Sequence, residues 1–139
     1  MSDRLVPAPK QVWQNDYYAV LVDAQLGIVW NVRSSKPFAS LEELDTRMGA
    51  VVDYMDGLDR PRYSLLLDIR AGPGRNDPEF EAAITRLRPR WFRGFRRIGV
   101  LVQTVVGAMQ AQRYARQDGV RRLITSDEAA LLRYLTQQG

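Results

Sequence analysis

The sequence predicts an α/β fold: a mixed, mostly parallel sheet of about five strands, in the order β-β-α-β-α-β-α-β-α, flanked by about four helices. Three observations predict it. Tyr17–Val22 and Ile28–Val32 are rich in β-formers and flank a short loop ending in Gly27, the pattern of a hairpin. Leu65-Leu66-Leu67 and Ile98–Val102 are short continuous apolar runs, which suit strands covered on both faces. Helix-start signatures stand at Ser40, Asp77 and Thr125. A hairpin followed by βα units builds a mixed sheet with helices packed on it.

Each element has its own warrant. Residues 1–11 carry two prolines and few apolar side chains and read as a flexible N-terminal tail; residues 12–139 read as a single domain. Ser40-Leu41-Glu42-Glu43 is a capping box, in which Glu43 is expected to reach back to the cap amide. Leu41, Leu44, Met48, Val51, Val52 and Met55 then recur at helical spacing, and Gly57 ends the helix. Tyr63–Asp68 is the next strand, followed by the Gly72-Pro73-Gly74 loop. Asp77 is a good N-cap, Pro78 a good first helical residue, and Glu79 and Glu81 suit the first turn. Pro89 is expected to limit that helix near Arg88. A strand from Ile98 runs to Val102, or on to Val106, before Gly107 opens a helix that Gly119 closes. Val120–Ile124 is a short strand, and Thr125-Ser126-Asp127-Glu128 starts a last helix with Leu131, Leu132 and Leu135.

Composition excludes whole classes of chemistry. The 139 residues contain no cysteine and no histidine. Disulfides, thiol nucleophiles and thiolate metal sites are therefore absent, and so are Ser–His–Asp and Cys–His catalysis. Carboxylate pairs, Ser–Lys, Tyr and oxygen-ligated magnesium remain open. An Asp68/Asp77 magnesium pair is a weak signal at that spacing. The reading is non-catalytic, with no catalytic residue, metal or cofactor assigned. No apolar run approaches the roughly 20 residues of a membrane span. The first residues lack the apolar core of a secretory signal, so a cytoplasmic location is the expectation.

The net charge is +4, and 18 of the 20 basic residues are Arg. A GC-rich genome encodes Arg over Lys without functional cause; Arg also suits bidentate contact with carboxylates and phosphates. Six of these arginines, Arg86, Arg88, Arg90, Arg93, Arg96 and Arg97, are interleaved with Trp91, Phe92 and Phe95. Two readings stand. Arg90, Arg93 and Arg96 contact phosphates or other anions, or the segment is a solvated connection with Trp91 and Phe92 tucked under the sheet edge. The lack of a recognised nucleic-acid motif weighs against nucleic acid.

The junction Ser64–Glu81 is the candidate site. In α/β folds ligands and partners meet the carboxyl ends of strands, and here a buried strand feeds a polar loop. Arg70, Arg75, Asn76 and Asp77 are its candidate partner-binding residues. Asp68 can pair with Arg70 or Arg97 as a structural bridge. The hairpin edge, with Trp13 and Trp30 nearby, offers a surface on which two copies could pair as a homodimer.

The order of elements is similar to that of STAS domains, the SpoIIAA-like fold of bacterial anti-sigma-factor antagonists. In detail the chain resembles the STAS-like branch grouped with lipid-transfer (CRAL-TRIO-like) domains. The resemblance rests on Asp68, on Asp77-Pro78-Glu79-Phe80-Glu81, on Arg97-Ile98-Gly99-Val100-Leu101-Val102 and on Ile124-Thr125-Ser126-Asp127-Glu128-Ala129. It implies a regulatory, protein-interaction module acting through the loop after the central strand and the helix that follows. The lipid-transfer side implies, as the alternative, a binder of an apolar or lipid-like small ligand. Anti-sigma antagonists place a phosphorylatable Ser or Thr at this helix start; this chain has neither from Ala71 to Ile84.

Overall fold

The structure is a computed structural model that describes residues 9–137. Six strands form one sheet: β1 (Lys10–Gln14), β2 (Tyr18–Asp23), β3 (Ile28–Arg33), β4 (Ser64–Asp68), β5 (Ile98–Leu101) and β6 (Leu123–Thr125). They lie side by side in chain order. β1, β2 and β3 pair antiparallel; β3 to β6 pair parallel. The parallel strands are joined by α1 (Leu41–Met55), α2 (Pro78–Phe92) and α3 (Val105–Asp118), and α4 (Glu128–Leu135) follows β6.

Sequential strand order decides the layering. Right-handed crossovers that always step the same way put every crossover helix on one face. The other face is left to α4. Burial agrees: Val20, Val29, Leu65 and Ile98 join one core with Leu44, Val51 and Met55 of α1 and Trp91 and Phe92 of α2. Ile28, Leu66 and Leu101 join another with Leu131 and Leu135 of α4. Leu65 and Leu66 thus enter opposite cores, because side chains alternate along a strand. Val100, Val102 and Ala111 pack under α3. Of the leucines read as buried, Leu67 is only half-buried.

Two glycines are required by geometry. Gly27 closes the β2–β3 turn at φ 71°, and its amide donates to the Asp23 carbonyl at 2.9 Å. Gly99 lets α4 approach β5, since a Cβ there would lie 2.3 Å from a Leu131 methyl.

The structure corrects several expectations. The sheet has six strands, because β1 begins at Lys10, inside the stretch read as tail. Two prolines conceal it in the sequence; residues 1–8 lie outside the described part. A bulge between Gln11 and Trp13 interrupts its pairing. Helix α2 does not stop before Pro89 but runs to Phe92. The proline removes one intrahelical hydrogen bond; burial of Trp91 and Phe92 at 3% and 4% exposure outweighs it. Arg60 closes the end, donating to the carbonyls of Arg90, Trp91 and Arg93 at 3.2, 2.8 and 2.8 Å. β5 ends at Leu101, and α3 starts at Val105 with Thr104, not Gly107, at its boundary. The last helix is capped by Asp127 rather than Thr125. Ser40 caps α1 as expected, but Glu43 reaches the Ala39 amide at 2.8 Å and accepts from the Tyr17 hydroxyl at 2.5 Å.

Candidate functional site

β4 delivers Asp68 to the carboxyl end of the sheet, where it is buried at 6% exposure. Its carboxylate accepts from the Arg70 amide at 3.1 Å and takes the Arg70 guanidinium in a two-point grip at 3.0 and 2.9 Å. Of the two bridges open to Asp68, the structure forms the one to Arg70. Arg70 also lies 3.4 Å from Glu128 at the start of α4. The loop then runs to Asp77, which caps α2 by accepting from the Phe80 amide at 3.2 Å. Arg75 grips the same carboxylate at 2.5 and 3.2 Å and lies over the Phe80 ring at 5.2 Å. The guanidinium of Arg75, with the Phe80 amide, holds the Asp77 carboxyl below its ordinary value. Asn76 is exposed between them.

Each candidate charge in this loop therefore meets an opposite charge within the loop. Asp68 with Arg70 and Asp77 with Arg75 are local clasps that fix its shape. Both carboxylates are engaged by arginine, and among the described residues no group of three metal-ligating side chains is placed to hold an ion.

A neighbouring element completes the surface. Gln110 of α3 donates to the Arg75 carbonyl at 2.7 Å, tying α3 to the loop. Arg113 of α3 pairs with Glu81 in the first turn of α2. On the opening turns of α3, Val105, Val106 and Met109 are 76%, 73% and 62% exposed. Sequence reading missed Val105 and Val106 because two adjacent valines after an apolar strand look like its continuation. The available signal was Thr104, three residues before Gly107: its hydroxyl accepts from the Gly107 amide at 2.9 Å, an ordinary N-cap.

The arginine segment divides. Arg90 bridges Asp53 and Asp56 of the α1 end at 2.5 and 2.7 Å, and Arg86 pairs with Asp45 at 3.4 Å. Arg88 is buried, 3.7 Å from Asp118 and 3.9 Å over the Tyr114 ring. Trp91 donates to Asn31 in the core at 2.7 Å. Arg93 and Arg96 line an open groove of about 400 Å³ at the opposite end of the sheet from the loop. The three anion candidates are thus not one cluster: Arg90 is occupied by two aspartates, and Arg93 and Arg96 face the groove.

The hairpin β2–β3 does not present an edge, since β1 and β4 pair its two sides; among the described residues the edge strands are β1 and β6. Trp13 stacks on Tyr54 of α1 at 5.7 Å. No helix among the described residues is long and apolar enough to cross a membrane.

No family model and no curated protein sequence matches the chain. A solved structure from Shewanella loihica does, described as an uncharacterized protein from the DUF3478 family with a SpoIIAA-like fold. The likeness has a TM-score of 0.53 over 92% of each chain, at 14% sequence identity. With its sequential mixed sheet, three crossover helices on one face and a fourth helix on the other, the chain has the SpoIIAA-like, or STAS-like, fold.

Proposed function

We propose that this chain is a non-catalytic regulatory module that docks a protein partner at the carboxyl end of its sheet, through the loop 70–77 and the opening turns of α3. The observation that carries this reading is the exposed apolar group Val105, Val106 and Met109, set beside a loop to which Gln110 ties its helix. Apolar side chains grouped on a surface and rimmed by polar residues mark interaction sites. The clasped loop supports the reading too, because paired charges keep the rim ordered before a partner arrives and lower the ordering cost of docking.

The chemistry around the loop favours binding over catalysis. The carboxylates are each engaged by an arginine. Tyr17, Tyr18 and Tyr114 all have pKa values pushed up, Tyr18 to about 12 by burial, which moves them away from use as bases at neutral pH. Without Ser or Thr in the loop, partner binding is switched by something other than phosphorylation at that site.

The test is capture of partners from the native lysate by wild type and by the double variant Val105→Asp/Val106→Asp, with the captured protein then purified and titrated against both. Both positions are exposed and lie in a helix first turn, where acids suit the dipole, so folding is expected to be unchanged. The variant is expected to lose the partner. Equal affinity of the purified partner for both proteins would overturn the assignment of this surface.

A further inference from the structure

The groove at the other end of the sheet has a lining that the docking site does not explain. It lies between the end of α2, the start of β5 and the approach to β6, and it is lined by Arg93, Arg96, Arg97 and Arg121 around an apolar floor of Phe92, Phe95, Ile98 and Val120. Among the described residues no acidic one lines it. Arg122 has its guanidinium 4.8 Å from the Phe92 ring, and Asp118 is shared between Arg122 and Arg88. On the α1 side Arg93 reaches Asp56 only at 3.7 Å, and that carboxylate is already held by Arg60 and Arg90. Arg96 touches the Gly27 carbonyl at 3.5 Å, Arg97 donates to the Gln137 carbonyl at 2.5 Å, and Arg121 is exposed without a charged partner among the described residues. The groove is therefore a concentration of like charge beside apolar surface.

From this lining we infer a small-ligand site for a phosphomonoester with an apolar or aromatic body. Guanidinium groups match phosphate oxygens with paired hydrogen bonds, which accounts for the rim. A free phosphate ion would leave the floor of Phe95, Ile98 and Val120 unused, so the ligand carries an apolar arm along it. The volume of about 400 Å³ lies within the range of small-ligand sites and accommodates a molecule of mononucleotide size. Gly94, also in the lining, turns the chain at φ 87°, where a Cβ would meet Arg60 at 3.3 Å. This site stands or falls independently of the docking surface at the opposite end of the strands.

The test is isothermal titration of the whole chain at low ionic strength with inorganic phosphate, hexyl phosphate and adenosine monophosphate. At least one ester is expected to bind about tenfold or more tighter than phosphate. Tighter binding of hexyl phosphate assigns an alkyl phosphate, and tighter binding of the nucleotide assigns an aromatic one. Arg93→Glu/Arg121→Glu, at two exposed positions, is expected to cost at least about tenfold in affinity with an unchanged melting temperature. Arg75→Glu, at the far end of the sheet, is expected to change nothing. The inference is overturned if neither ester binds more tightly than phosphate, or if the double variant binds as wild type does.

Discussion

Replacing Arg60 by alanine tests how the arginine-rich end of α2 is held. The Arg60 side chain is 7% exposed, pairs with Asp56 at 2.8 Å and donates to three carbonyls at the end of α2. Its guanidinium also lies 5.0 Å from the Phe95 ring centroid. Asp56 loses little by the change, because Arg90 still holds it at 2.7 Å and it is partly solvated. The cost therefore falls on the three carbonyls, of which Trp91's is buried and those of Arg90 and Arg93 are partly so. At about 1 kcal/mol for each unsatisfied acceptor, the substitution costs about 3 kcal/mol. For a domain of this length that lowers the melting temperature by about 10 °C. Urea unfolding followed by tryptophan fluorescence measures it, with Arg90→Gln as the control. Arg90 makes exposed pairs only, so its loss costs about 1 kcal/mol at most. If Arg60→Ala costs no more than Arg90→Gln, the buried cap does not hold the helix end and the account of how α2 passes Pro89 is wrong.

Trp91→Phe keeps the ring in the core but removes the donor to Asn31, which is 0% exposed. Leaving that amide oxygen without its partner is expected to cost about 2 kcal/mol in urea unfolding, and a change under about 0.5 kcal/mol would show that the core pair contributes nothing. The pH dependence of stability follows from Glu43, Asp56 and Asp77, whose pKa values are lowered, chiefly by the Tyr17 hydroxyl, Arg90 and Arg75 respectively. Depressed carboxyl pKa values stabilise the fold above the ordinary values of 4.5 for Glu and 3.8 for Asp, and that stability is lost as pH falls through the depressed values. With no histidine in the chain, urea midpoints are expected to be flat between about pH 6 and 8 and to fall below about pH 4.5, whereas a sloping midpoint at neutral pH would contradict this assignment.

The topology was legible because its signals are local. The Leu65–Leu67 run, the Gly27 turn and the caps at Ser40 and Asp77 each follow from a few adjacent residues. What the sequence hid depends on distant partners. β1 forms because β2 offers an edge to Lys10–Gln14, whatever the preceding prolines suggest. α2 continues past Pro89 because Asn31 and Arg60, far away in the chain, receive Trp91 and the helix end. At the candidate site the four residues were identified as a loop, with Arg70 or Arg97 as the partner open to Asp68, but the clasp of Arg75 on Asp77 was not. That Arg75 closes on Asp77 and Arg70 on Asp68, leaving the apolar turn of α3 as the unsatisfied surface, is visible only once side chains have positions.

The arginine excess reads differently after folding. Codon composition explains an arginine where a lysine would serve as well, as at Arg86 in its exposed pair with Asp45. It does not explain the buried ones. Arg60 spreads one nitrogen over three carbonyls while another holds a carboxylate, which needs the planar fork of a guanidinium. Arg33, 7% exposed, lies 4.6 Å from the Phe38 ring centroid and donates to the Ser34 carbonyl at 2.7 Å. Arg88 and Arg122 lie over Tyr114 and Phe92 and share Asp118. A compact, strongly hydrated ammonium would bury at far greater cost in all four places. Acids on α1, at the end of β4 and in the loop 70–77 neutralise a further set, Arg70, Arg75, Arg86 and Arg90. Arg93 reaches only an aspartate already shared with Arg60 and Arg90, and Arg96 and Arg121 pair with no acid among the described residues; the fold gathers these three around one groove. Genome composition does not choose that location, and the inferred phosphomonoester accounts for it by its charge.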